Sequence, residues 1–187
     1  MGRAEATKDR ILEAAMAEFS AFGVAGARVD RIARTAGCNK NLIYVYFENK
    51  ETLFTTVLEK HLQRVYSELA MTPDDLPGYA ERVFDFAMAN PDLMRLMAWA
   101  NLEQQASLPA RAAVHKDKVA ELAKAQDDGT LRATFPPAVL LTAVMTLATA
   151  WTAANPFGPS LNPDAATDPD ALRKDIADVV GLISRAD

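Results

Sequence analysis

The feature that most constrains the fold is residues 29–47, where two short helical patterns are separated by a glycine. In the first pattern, apolar residues lie three and four positions apart, at Val29, Ile32, Ala33 and Ala36. Gly37 then supplies the left-handed conformation that ends such a helix. Asn39 is a favourable N-cap for the second pattern, whose inward residues are Leu42, Ile43 and Phe47. Two short helices joined by a glycine-containing turn of about three residues predict a helix-turn-helix.

The charge distribution restricts where a nucleic acid could bind. The chain of 187 residues carries a formal net charge of −5, which argues against a protein coated with basic residues. Residues 1–60 carry nine Lys and Arg against eight Asp and Glu, whereas residues 61–187 carry eleven against seventeen. A DNA-binding surface is therefore expected to be local and to lie at the N-terminal end.

Other features of composition favour a cytoplasmic protein. The single cysteine, Cys38, cannot form an internal disulfide, and the N-terminus lacks the pattern of a signal peptide. Residues 138–154 contain no charge, but four threonines interrupt them and no basic anchors flank them. We therefore predict a helix buried on two sides there, and no membrane span.

Helical periodicity continues along the whole chain, and no alternating strand pattern competes with it. The helices are expected near 5–22, 50–70, 76–90, 91–106, 111–126, 137–154 and 169–185, with a loop over 155–169. The prediction is an all-α protein in which a long helix links an N-terminal three-helix domain to an all-helical C-terminal domain. The predicted domains are 1–50 and 51–187.

The first 55 or so residues resemble the TetR family of transcriptional regulators. The resemblance is carried by the segments 11–15, 19, 22–23, 29–33, 36–37, 40, 43–44, 46–47 and 49–53, with their spacing kept. It implies a DNA-binding N-terminal domain of residues 1–50 and a C-terminal domain of residues 51–187 that binds a ligand and dimerises.

The predicted DNA-binding residues are Arg28, Asn39, Lys40, Asn41, Tyr44, Tyr46 and Lys50. Asn39, Lys40 and Asn41 occupy the N-terminal end of the second helix of the motif, where side chains reach base edges or phosphates. Asn39 is open to a second interpretation, as a helix cap alone. The resemblance implies that both tyrosines face the DNA backbone, that Arg28 reaches DNA and that Lys50 meets phosphate.

Three positions depart from the family pattern. Val45 stands where many relatives carry a polar or aromatic residue, so base reading there is in doubt. Ala27 replaces a hydroxyl residue that commonly caps the next helix, which forgoes about 1 kcal/mol. Cys38 stands where valine is usual, as a small hydrophobe or as a thiol switch.

The resemblance implies a homodimer formed by the helices near 136–154 and 169–185. The alternative is that both helices are buried in the core of an ordinary monomer. It also implies a cavity for a small apolar or amphipathic effector, whose candidate lining residues are Phe84, Met88, Met97, Asn101, Gln104, Thr142, Met145 and Trp151. Met and aromatic residues at helical spacing are also typical of a plain core.

No catalytic motif occurs, so neither an enzyme nor a cofactor or metal site is predicted. We predict a ligand-responsive repressor that binds a palindromic operator as a homodimer, with half-sites about 34–36 Å apart. The alternative is a constitutive DNA-binding regulator whose C-terminal domain only dimerises or binds a protein partner.

Overall fold

The computed structural model describes residues 2–103 and 109–185. The chain divides into two compact units, each described by itself below. Unit 1 comprises Met1–Arg64 and Asp92–Ser107, and unit 2 comprises Val65–Pro91 and Leu108–Asp187. The functional domains of residues 1–50 and 51–187 stay a prediction.

Unit 1 begins with helices α1 (Arg3–Gly26), α2 (Val29–Ala36) and α3 (Lys40–Phe47). Gly23 interrupts α1 with φ 65°, and Gly37 ends α2 with φ 63° in the left-handed region. Asn39 caps α3, because its side-chain oxygen accepts a hydrogen bond from the Asn41 N–H at 2.8 Å. The core of these helices includes Ile11, Ala15, Phe19, Ile32, Ile43 and Phe47.

Helices α4 (Lys50–Glu68) and α6 (Pro91–Leu102) complete unit 1. Asn49 begins α4 by accepting a hydrogen bond from the Thr52 N–H at 2.7 Å. Leu53, Phe54, Val57 and Leu58 of α4 are fully buried. The Phe54 ring meets the Phe19 ring edge to face, with centroids 5.2 Å apart. The last residues of α4, from Val65, belong to unit 2.

Unit 2 contains α5 (Leu76–Ala89), α7 (Pro109–Asp127), α8 (Pro137–Ala148), α9 (Phe157–Leu161) and α10 (Pro169–Ser184), with 3₁₀ turns at Pro73–Asp75 and Pro163–Thr167. Helix α5 packs against α8 and α10, and α7 packs against α8. The buried side chains of these helices form one core, which includes Tyr79, Val83, Phe84, Leu122, Leu140, Val144, Ile176 and Val180.

The predicted all-α class with an N-terminal helix-turn-helix and a helical C-terminal domain is confirmed, and the described residues contain no β-strand. The apolar helix expected to reach residue 154 ends at Ala148, where Thr149 leaves helical geometry. The loop expected over 155–169 contains α9 and a 3₁₀ turn. Phe22, which matched the apolar stripe of α1, is 47% exposed. Within the described part of the chain, every helix is too short or too polar to cross a bilayer.

Candidate nucleic-acid interface

The N-terminal end of α3 presents three polar side chains to solvent: Asn39, Lys40 and Asn41. Asn39 uses its side-chain oxygen as the helix cap. Its amide nitrogen and the whole side chain of Asn41 are left to face a ligand. Exposed amides and a cation at a helix N-terminus match the groups that read base edges and hold phosphates in a major groove.

Lys40 is held by a partner from the first helix of the motif. Its ammonium group forms an ion pair with Asp30 of α2, with an Nζ to Oδ1 distance of 3.0 Å. The hydrogen bond and the charge of Asp30 raise the pKa of Lys40 above its usual value. Lys40 is therefore a fixed positive charge between α2 and α3.

Three further residues of α3 differ in exposure. Tyr44 is 41% exposed and Val45 is 75% exposed. Tyr46 is half-buried, and its hydroxyl group donates to the Ala4 carbonyl oxygen at 3.5 Å. Tyr44 and Val45 thus lie open to a ligand, whereas Tyr46 also contacts the start of α1.

Arg28 and Lys50 lie at the N-terminal ends of α2 and α4, respectively. Arg28 is exposed and is the N-cap residue of α2. Lys50 is half-buried, and its Nζ donates to the carbonyl oxygens of Ala27 at 3.3 Å and Ala25 at 3.5 Å. Lys50 therefore contacts the C-terminal end of α1, where unpaired carbonyls favour a cation.

Glu18 of α1 holds the start of α2, whose N-cap residue is Arg28 rather than the expected Ala27 and makes no side-chain cap. Its carboxylate accepts a hydrogen bond from the Arg28 N–H at 2.8 Å and forms an ion pair with Arg31 at 2.6 Å. Only 8% of Glu18 is exposed. Burial acts to raise the pKa of Glu18, but the hydrogen bonds and charges of Arg31 and Arg28 outweigh it and leave the pKa below its usual value. A charged Glu18 thus fixes the start of α2.

Gly23 forms a joint between α1 and α6 within unit 1. In an unbroken helix the Val24 N–H would donate to the Ser20 carbonyl oxygen, but the Gly23 conformation separates them. The Val24 N–H donates instead to Glu103 at 3.0 Å, and the Ser20 oxygen accepts from the Trp99 indole at 3.3 Å. The groups freed by the break in α1 are therefore paired with the C-terminal end of α6.

The predicted effector-binding residues fall into different places. Phe84 is buried in the core of unit 2, and Met88, Met145 and Trp151 pack against the same core. Thr142 is exposed, and its hydroxyl group donates to the Ala138 carbonyl oxygen.

Two more of these residues belong to unit 1: Met97 is half-buried and Asn101 is exposed. Gln104 lies outside the described residues. The structure therefore brings together four of the eight, and a role for any of them in effector binding stays a prediction.

Helices α8 and α10 contact each other and leave apolar side chains exposed. Val139 of α8 is 52% exposed, and Val179 and Leu182 of α10 are 42% and 79% exposed. Val179 and Leu182 are three positions apart and share one helix face. An exposed apolar face on adjacent helices is typical of an interface with another chain.

The sequence did not identify Glu18 or Glu103 as structural partners of the interface. A signal exists for Glu18, which is a carboxylate inside the apolar stripe formed by Ile11, Ala15 and Phe19. Such a residue needs a buried partner. For Glu103 no local signal exists, because its partners lie 78 and 79 positions away.

Two family models match the chain. The model described as bacterial regulatory proteins, tetR family, matches residues 11–57. The model described as tetracyclin repressor-like, C-terminal domain, matches residues 75–181. Together they cover both the helix-turn-helix and most of the remaining helices.

Individual proteins are similar over most of the chain. The HTH-type transcriptional repressor SCO4008 of Streptomyces coelicolor is 42% identical over 148 residues, which is 77% of each chain. The HTH-type transcriptional repressor NicS of Pseudomonas putida is 33% identical over 110 residues, 54% of this chain and 51% of NicS. The crystal structure of SCO4942 from Streptomyces coelicolor, assigned as a transcriptional regulator, superposes with a TM-score of 0.85 at 35% identity, over 97% of this chain and 99% of SCO4942.

Proposed function

Since the chain belongs to the TetR family of bacterial transcriptional regulators, we propose that it is a repressor that binds a palindromic operator as a homodimer and releases it when a small molecule binds unit 2. The observation that supports operator binding best is the exposed N-terminal end of α3, with Asn39, Lys40 and Asn41. Asn39 and Asn41 present amides suited to adenine edges, and Lys40 presents a charge suited to guanine or phosphate. The names of SCO4008 and NicS, both repressors, support the direction of regulation.

The homodimer is proposed to form through the exposed apolar faces of α8 and α10. A twofold dimer uses the same patch on both subunits, so one apolar face suffices. Two copies of α3 would then read half-sites about 34–36 Å apart. Since Val45 offers only a methyl contact, the two correctly spaced copies contribute much of the specificity.

Release by a ligand requires a conformation in which the two copies of α3 are wrongly spaced. A ligand shifts the equilibrium only by binding that conformation more tightly. Helix α6 follows α5 of unit 2 directly along the chain. Trp99 in its last turn and Glu103 just after it contact the α1 backbone at the Gly23 joint. We propose that a displacement of α6 reaches the helix-turn-helix through this joint and through α4.

The experiment is a selection of bound fragments from genomic DNA with the purified full chain, followed by titration of the enriched duplex. The expected result is an enriched inverted repeat, bound by two protomers. Small molecules suggested by the operons next to the bound site are then added at saturation. An effector should weaken operator binding about 100-fold, equivalent to about 2.7 kcal/mol.

Two outcomes would contradict separate parts of the proposal. If no sequence is enriched, operator binding is wrong. If the operator is bound but neither these small molecules nor extracts of cells expressing the neighbouring operons change the titration, the ligand response is wrong and the protein is a constitutive regulator.

A further inference from the structure

A lysine without an acidic partner reaches the buried core of unit 2. Lys118 of α7 donates from Nζ to the Tyr79 hydroxyl oxygen at 2.7 Å and to the Leu69 carbonyl oxygen at 3.5 Å. Its Nζ also lies 5.0 Å from the centroid of the Tyr79 ring. Tyr79 is fully buried and Leu69 is 7% exposed, so the ammonium group touches the core.

The hydrogen-bond partners of this ammonium group are neutral, and the nearby charge over the same Tyr79 ring is a second cation, Arg82, whose Cζ lies 5.9 Å from the ring centroid. The Tyr79 hydroxyl group can donate onward to the Met145 sulfur, 3.7 Å away. Among the described side chains no carboxylate forms an ion pair with Lys118, although Asp117 and Glu121 lie on the same helix. Unit 2 as a whole holds nine Lys and Arg against fifteen Asp and Glu. An unpaired cation in this acidic unit is therefore not explained by a shortage of carboxylates.

A partly buried charge is unfavourable unless an opposite charge compensates it. Lys118 has one N–H left after its bonds to Tyr79 and Leu69, and it points from α7 toward a core of Leu, Met and aromatic side chains. The group that best complements this arrangement is a carboxylate on an apolar body. The carboxylate would form an ion pair with the ammonium group and accept a hydrogen bond from its free N–H. The apolar body would lie against side chains such as Met145.

A second donor in the same core lacks an acceptor. The indole nitrogen of Trp151 is buried and has no hydrogen-bond partner among the described residues. Trp151 packs against the core that contains Tyr79. Buried donors without acceptors are rare in folded proteins. The spare N–H of Lys118 and the unpaired indole N–H of Trp151 favour a ligand that brings acceptor oxygens rather than donors.

We propose that Lys118 is the anion-recognition residue of the effector site, that Tyr79 positions it, and that the effector is an apolar monocarboxylate. The proposal rests on the proposed ligand response for its biological meaning, but binding is measured without DNA. Neither Lys118 nor Tyr79 was among the residues that the sequence pointed to. Met145 does belong to the predicted effector-binding residues, and its contact with the Tyr79 hydroxyl group links Lys118 and Tyr79 to that set.

The test compares straight-chain and phenyl-substituted monocarboxylates with their primary amides by thermal shift of the full-length protein. The amide keeps the shape and removes the charge. At least one carboxylate should raise the Tm by about 3–5 °C at ten times its Kd, and its amide by clearly less. Lys118→Met, which keeps the length of the side chain, should weaken that carboxylate about tenfold or more and leave the amide unchanged.

Two further variants separate recognition from folding. Lys116→Met removes an exposed lysine from the same helix and should keep the full carboxylate effect. Tyr79→Phe keeps the buried ring but removes the hydroxyl group that holds Nζ, and should weaken the carboxylate about three- to tenfold. Without ligand, Lys118→Met should have an unchanged or higher Tm, because it removes an unpaired charge.

The proposal is overturned if no carboxylate exceeds its amide, or if the difference persists in Lys118→Met. A lower Tm of ligand-free Lys118→Met, with no change in binding, would make the lysine a structural residue. Operator titrations with the same carboxylates test the proposed ligand response separately from binding at Lys118. Carboxylate binding without an effect on DNA would contradict the proposed ligand response and leave the anion site intact.

Discussion

Replacing Gly23 with alanine tests the joint between α1 and α6. Its φ of 65° and ψ of −177° fall in a region that only glycine adopts readily, so the backbone alone costs about 1–3 kcal/mol. An added Cβ would lie 2.5 Å from the Glu103 Oε1 and 2.8 Å from the Trp99 Cε3. Glu103 would have to leave the Val24 and Ala25 N–H groups, and each bond to a charged acceptor is worth about 1.5 kcal/mol or more. We therefore expect Gly23→Ala to lower the free energy of unfolding by about 4–6 kcal/mol.

Two other glycines provide matched controls. Gly37 has φ 63° but nothing within 4 Å of an added Cβ, so Gly37→Ala measures the left-handed backbone alone, at about 1–2 kcal/mol. Gly26 has neither a positive φ nor a neighbour closer than the Phe22 Cβ at 3.3 Å. Gly26→Ala should therefore change stability by less than about 1 kcal/mol in either direction.

The assay is urea unfolding followed by tryptophan fluorescence in a Trp151→Phe background, where Trp99 is the remaining tryptophan. Because Trp99 contacts the joint, Gly23→Ala should also change the emission of the folded state, and Gly37→Ala should not. A cost for Gly23→Ala no greater than that for Gly37→Ala would refute the role assigned to Trp99 and Glu103.

Three further predictions concern the start of α2, the DNA-facing residues and the dimer. Glu18→Gln should lose about 1–3 kcal/mol at pH 7 in urea unfolding, against at most about 1 kcal/mol for Asp9→Asn in the exposed pair with Lys60. The pKa of Glu18 is lowered in the folded state, so the loss of stability in Glu18→Gln should be complete above the usual pKa of 4.5 and should vanish as the pH falls through the folded-state pKa. A loss that grows on acidification would contradict this role of Glu18. Lys40→Ala and Tyr44→Ala should each weaken operator binding about tenfold or more at an unchanged Tm, whereas unfolding of both variants would place these side chains in the core. Leu182→Glu should give monomers in sedimentation velocity while Val45→Glu, equally exposed, stays dimeric; a dimeric Leu182→Glu protein would remove α10 from the interface.

The fold could be predicted because its signals are local. Gly37 and Asn39 mark the turn of the helix-turn-helix by backbone conformation and by capping, and both occur as expected. The C-terminal end of α8 could not be predicted, because the sequence remains apolar beyond Ala148 and contains no helix-breaking residue before Pro156.

The partners of the candidate site depended on contacts between distant segments. The pairing of Lys40 with Asp30 joins two helices across the turn, and that of Glu18 with Arg28 joins two more. Trp99 donates to the Ser20 carbonyl oxygen, 79 positions away along the chain. Periodicity shows which side chains face inward, but it contains no information on which inward groups meet.

The most direct test of DNA reading by α3 is a pair of anisotropy titrations, on the selected operator and on an unrelated duplex of equal length. Asn41 is exposed and its side chain is proposed to read a base, whereas Lys50 is proposed to meet phosphate. Asn41→Ala should lower affinity for the operator by about 1–3 kcal/mol and leave the unrelated duplex unchanged, and Lys50→Ala should weaken both alike. Equal losses on both duplexes for Asn41→Ala, or none on either, would contradict base recognition by the N-terminal end of α3.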